Sequence, residues 1–215
     1  TIVSEPDLQG ENRMLRDQLH RLHLDARHNQ KVMLRSRERE LSMLGAGDLV
    51  ELLERLTTGM RSSFGLDGIR LLLLDPCSVI RDLLASQINA DTGLMRNIAL
   101  CTDMGATRDL IDSLDAPWLG PWSDQQHRML FGRRLGGSVA LLPLRRTDGP
   151  VGLLCLGSRD RQRFRTGQAT DFLGHLASVA AVCLENGVNR EKLHLTGLTD
   201  SLTGLYNRRH LQHRP

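Results

Sequence analysis

The chain has 215 residues, 40% of them hydrophobic and only 3% aromatic, so a core can form and must rest on Leu, Val, Ile, Ala and Met. The net charge is +3 and only Lys31 and Lys192 are lysines; no arginine cluster interleaved with aromatics is visible, so nucleic acid is not an expected partner. No apolar run approaches the roughly 20 residues of a membrane-spanning helix and no secretory leader opens the sequence, so the expectation is a cytoplasmic protein with no membrane partner.

Residues 7–43 hold one glycine and no proline, and Pro6 and Asp7 suit a helix start. Leu8, Asn12, Leu15, Leu19, Leu22, Ala26, Asn29 and Met33 step alternately by four and three. That period of 3.5 predicts the seam of a dimeric coiled coil, with Asn12 and Asn29 setting register at some cost in stability. The plainer alternative is an amphipathic helix packed on its own domain. After Gly45 and Gly47, Asp48 can cap a second helix over 48–64, with Leu49, Leu52, Leu53, Leu56 and Met60 as its stripe. A turn at 65–68 leads to a buried strand over 69–74.

The middle predicts a helix over 78–88, a loop at 89–93, a short strand over 97–101 and a short helix over 108–114. Residues 116–122, with both tryptophans, read as a loop, and Ser123 can cap a helix through Leu130. Two strands, 137–144 and 151–158, flank a turn at 147–150 and predict a hairpin. A polar loop at 159–167, anchored by Phe164, precedes a long helix over 170–195. Phe172, Leu173, Leu176, Val179, Ala180, Cys183 and Leu184 form its inner face. The pattern predicts an α+β fold: an antiparallel sheet flanked by helices, the first and last of which pack on one face.

The hairpin and the helix after it resemble a GAF domain, a small sensor fold. The residues that carry this are Gly152-Leu153-Leu154-Cys155-Leu156-Gly157-Ser158, the charged loop, Phe164 and the amphipathic helix. ENRMLRDQL, WLGPW, MLFG, LGSRDRQRF and TDFL are similar to a family of GAF-like bacterial proteins known as domain of unknown function 484, across about residues 11–184. That family resemblance implies no particular ligand.

Near the end, Asp200-Ser201-Leu202-Thr203-Gly204-Leu205-Tyr206-Asn207-Arg208-Arg209 resembles the opening D-x-L-T-G-L-x-N-R-R of a GGDEF diguanylate cyclase domain at every fixed position. Asp200 can cap a helix starting near Thr203, Gly204 permits a tight turn, and Arg208 and Arg209 can pair with carboxylates. The resemblance implies a parent protein that condenses two GTP with Mg²⁺ into cyclic-di-GMP, each half of a dimer holding one GTP. The GG(D/E)EF signature itself is not among these 215 residues: Gly136-Gly137 is followed by Ser138-Val139 and reads as a turn. The chain alone is therefore expected to be non-catalytic and to bind no cofactor. The expected organisation is a signalling helix (1–44), a GAF-like sensor domain (45–185), a linker helix (186–197) and the start of a GGDEF domain (198–215).

Trp118, Trp122 and His127, with Arg70 and Cys155, are candidates to line a ligand pocket over the sheet; tryptophan is equally a core or lid residue. The four cysteines, Cys77, Cys101, Cys155 and Cys183, contain no CxxC pair and read as free thiols in a reducing compartment. Cys155 reads as an inert buried thiol, since nothing basic flanks it in sequence. His20 with His23, and His210 with His213, have helical metal-ligand spacing but no third ligand nearby, so no metal is expected. No Ser/His/Asp or Cys/His arrangement is legible. The expected partners are a second copy of the chain and a small-molecule or protein signal. A purely structural dimerisation module is the rival reading.

Overall fold

The computed structural model describes residues 5–85, 87, 93–102, 105–166 and 170–198. The chain forms two compact units, Thr1–Glu38 and Arg39–Pro215. Helix α1 (Glu5–Leu44) is unbroken. Leu15, Leu19, Leu22 and Met33 of the expected seam are each more than half exposed, and Asn12 and Ala26 are exposed as well. The side chains of Leu8 and Asn29 lie outside the described ones. The single chain shows a helix with an uncovered apolar seam; a coiled coil takes a second chain.

The second unit is built on a five-stranded sheet in the order β2-β1-β5-β4-β3. Its entry helix begins where Asp48 predicts. The Asp48 carboxylate accepts the Glu51 backbone N–H at 2.8 Å and caps α2 (Leu49–Glu54). A π-helical turn (Arg55–Gly59) and α3 (Met60–Phe64) continue it. In that turn Thr57 is buried, and its hydroxyl donates to the Leu53 carbonyl at 2.7 Å. Such a back-bond satisfies the hydroxyl and perturbs the helical ladder.

Strand β1 (Gly68–Leu74) carries four consecutive leucines because both of its faces are covered: Leu71 and Leu73 enter one core and Leu72 the other. Asp75 then ends the strand and starts the next helix. Its buried carboxylate accepts the backbone N–H groups of Ile80 and Arg81, each at 3.0 Å, at the head of α4 (Val79–Ala85). A short 3₁₀ turn (Gly93–Asn97) leads to β2 (Ile98–Cys101). Strand β2 runs parallel to β1, so the antiparallel expectation is corrected: the sheet is mixed. The connection through α4 is the crossover that a parallel pair requires.

Helix α5 (Gly105–Asp112) precedes β3 (Trp118–Pro121). This corrects the loop expected at 116–122. Gly120 and Pro121 discourage a central strand, but β3 pairs on one side only, with β4, and an edge tolerates both. Helix α6 (Asp124–Phe131) and the hairpin β4 (Ser138–Arg146) and β5 (Gly149–Ser158) follow, with Thr147 and Asp148 as the tip. Helix α7 (Asp171–Leu198) closes the described chain and includes the segment expected as a linker.

The sheet divides two cores. Leu71, Leu73, Leu142, Leu144 and Leu154 face α2, α3 and α7, where Leu49, Leu52, Leu53, Leu56, Leu176 and Leu184 meet them. The first and last helices of the unit thus share one face, as expected. Leu72, Val139, Leu141, Leu153 and Cys155 occupy the other face, under Ile111 of α5 and Phe131 of α6.

Candidate functional site

Strand register places Arg70 opposite Cys155, Cys155 opposite Leu141, and Leu141 opposite Trp118. The row crosses β1, β5, β4 and β3 on the face covered by α5 and α6, so two candidates far apart in sequence, Arg70 and Cys155, become direct neighbours. Cys155 is wholly buried. Burial pushes its thiol far above the ordinary value, against the weaker opposing pull of the Arg70 charge. The expectation that nothing basic stands near Cys155 is thus corrected by the cross-strand neighbour, while the unreactive thiol follows from burial. The Arg70 guanidinium donates to the Arg96 carbonyl, and its Nε is buried without a hydrogen-bond partner.

At the edge of the sheet the aromatics meet. His127 stands between the two tryptophans, 5.5 Å from Trp118 and 5.6 Å from Trp122 between ring centres. Phe131, one helical turn on, lies 5.5 Å from Trp122. Gly120 makes room for this packing: a Cβ there would lie 2.5 Å from the Trp118 ring. Ser123 does not cap α6 with its hydroxyl. Its backbone N–H donates to His127 Nδ1 at 2.9 Å, so the side chain four residues on caps the turn. This bond needs an unprotonated Nδ1. Burial acts in the same sense and holds His127 below its ordinary value of 6.5.

Of the five pocket candidates, Cys155 is enclosed in the core of this face and Trp122 lines an open cleft. Cys155, Leu141 and Leu153, under Ile111 and Phe131, fill the centre of this face. Trp122 alone reaches an open cleft of about 400 Å³, whose other walls are Pro121, Asp124, Arg134, Gly136, Gly137 and Arg161. Asp124 accepts from Trp122 Nε1 at 2.5 Å and pairs with Arg134 Nε at 3.1 Å. Gly137 has φ +77, and a Cβ there would lie 2.1 Å from the Ser158 carbonyl oxygen, so only glycine fits. Sequence reasoning missed Arg134 and Arg161; the one signal was the arginine-rich run at 159–165.

Elsewhere, Cys101 is partly exposed and its sulfur accepts the Thr107 hydroxyl at 3.8 Å. His20 and His23 lie exposed on α1. Among the described residues no three His, Cys, Asp or Glu side chains gather to hold a metal, and no helix is long and apolar enough to cross a membrane. The GGDEF-like residues Asp200, Leu202, Thr203, Gly204, Leu205, Asn207, Arg208 and Arg209 lie outside the described residues, as do His210 and His213.

The model of the family described as "Protein of unknown function, DUF484" matches residues 8–189. No curated protein matches the chain. Among solved structures it is similar to the GAF domain from Acinetobacter phosphoenolpyruvate-protein phosphotransferase. The identity is 14% and the TM-score 0.47, over 78% of this chain and 95% of that one. It is also similar to the bacteriophytochrome RpBphP3 from the photosynthetic bacterium R. palustris, at 12% identity and TM-score 0.45, over 80% of this chain and 39% of that one. These likenesses are too loose to carry function from one protein to the other.

Proposed function

The chain belongs to the DUF484 family, and from that premise we propose that it is the regulatory and dimerisation region of a cytoplasmic cyclic-di-GMP signalling protein. The observation that carries the reading is the run from Asp200 to Arg209, which resembles the start of a GGDEF domain at each fixed position and begins two residues after α7 ends. In this reading the 45–185 region is a GAF-like sensor, and the end of α7 (186–197) links it to a cyclase domain that takes GTP and Mg²⁺. No described residue is assigned to that chemistry.

The residues of α7 support a relay. Its inner face (Leu176, Ala180, Leu184) lies in the sheet core, so a movement of β4 is felt along the helix. Farther on, the buried Glu191 carboxylate accepts from Gln87 Nε2 at 2.8 Å and from the Leu49 backbone N–H at 3.4 Å. The helix therefore stays docked on α2 to within seven residues of its last described residue, Leu198. The uncovered seam of α1 supplies a surface for a second copy, and two GGDEF domains must meet to close the cyclic product.

The rival reading, a dimerisation module without a ligand, draws support from the filled centre of the Trp118 face. The test of the main reading is the coding sequence beyond Pro215 together with the activity of the protein it encodes. An intact GG(D/E)EF and conversion of GTP to cyclic-di-GMP are expected. A continuation with neither would remove the cyclase from the account.

A further inference from the structure

The cleft beside Trp122 lies away from the filled centre of the sheet and brings two loops together. The segment after α6 supplies Arg134, Gly136 and Gly137, and the loop after β5 supplies Arg161. The one carboxylate in its walls, Asp124, is engaged by both Arg134 and the Trp122 indole. Arg161 is exposed, and no described residue bonds to it or pairs with it. Nearby, Arg133 donates to the Asp67 carbonyl at 2.8 Å and so keeps its charge uncancelled. The cleft thus holds a surplus of positive charge against one half-buried indole.

We propose that this cleft binds a small aromatic anion: a flat ring bearing a phosphate or a carboxylate. The anionic group sits at Arg161 and Arg134, whose planar donor forks match two oxygens of either group. The ring lies on the part of Trp122 that lines the cleft, and His127 and Phe131, 5.6 and 5.5 Å from the indole, hold it in place. A volume of about 400 Å³ falls in the usual range for small ligands. Ser138 ties the site to the body of the sheet. Its hydroxyl donates to the Asp160 carbonyl at 2.6 Å and accepts the Phe164 backbone N–H at 3.2 Å, and Phe164 is buried in the core that α7 shares. The inference rests on the sensor reading and gives its ligand a chemical class.

Isothermal titration calorimetry of the 215-residue protein with phenyl phosphate, benzoate and inorganic phosphate tests it. Saturable binding of phenyl phosphate or benzoate is expected, with Kd below roughly 1 mM. Inorganic phosphate, which has no ring, is expected to bind more weakly than the tighter of the two. Whichever ring compound binds more tightly identifies the anionic group. R161Q is expected to weaken that binding by about tenfold or more, whereas R37Q, at an exposed arginine of α1, leaves it unchanged. Arg161 is exposed and no described residue bonds to it, so R161Q keeps the fold, checked by its urea midpoint. No saturable heat from either ring compound, equal binding by R161Q, or inorganic phosphate binding as tightly as both would overturn the proposal. A monomeric chain that still bound phenyl phosphate would remove the relay reading and leave the cleft standing; a dimer that bound none would do the reverse.

Discussion

The two faces of the sheet obey different rules. Toward α2, α3 and α7 the sheet presents leucine after leucine, and the covering helices answer with more leucine and alanine. Toward α5 and α6 the cover is two helices of eight residues each, and the chemically distinctive groups gather there: Arg70, Cys155, His127 and both tryptophans. The first face binds the helix that leaves the domain. The second ends, at its β3 edge, in a cleft with spare positive charge. One strand's alternation of side chains separates the two environments.

Leu154 and Cys155 are adjacent, equally buried and on opposite faces, and truncation to alanine removes three carbons from the first and one sulfur from the second. L154A is expected to cost about 2–5 kcal/mol and C155A about 1–2 kcal/mol, read from urea unfolding. Equal losses would break the comparison. Next in size is E191A, which removes the carboxylate shared by Leu49 and Gln87. A loss of about 1–2 kcal/mol is expected, since Asp48 still caps α2. An unchanged midpoint would mean that the last turns of α7 are not held by the domain.

His127 sharpens the contrast through pH. Its folded value lies below 6.5, so between the two values the unfolded chain binds more protons than the folded one. Its contribution is complete above 6.5 and is lost as pH falls through the folded value. The stability advantage of the natural protein over H127Q should therefore shrink between about pH 7.5 and about pH 5.5. A constant difference would show that His127 does not titrate with unfolding. Smallest of all, R161Q should change stability by no more than about 0.5 kcal/mol, because no described residue bonds to that guanidinium.

Much of the fold was legible in local pattern. The hairpin showed through its two apolar runs and the Asp148-Gly149 turn, and the cap of α2 showed through Asp48. Strand β3 was hidden because Pro117, Gly120 and Pro121 argue against a strand, and only its position at the sheet edge overrides them. The parallel pairing of β2 was hidden because four residues carry no signal of their partner. At the site, Trp118, Trp122 and His127 are close in sequence and pack ring to ring, whereas the Arg70–Cys155 neighbourhood needs the register of two distant strands. Arg161 was hidden among the other arginines of its loop, since which of them lacks a partner is decided only by the folded chain.

The central claim is that this region works as a pair, and sedimentation equilibrium of the 215-residue protein tests it most directly. At roughly micromolar concentration the account predicts a particle of twice the 24.1 kDa chain mass, reverting toward a single chain when Leu15 and Leu22 of the exposed α1 seam are both changed to Glu. A natural chain that sediments as a 24.1 kDa monomer across that range would contradict it.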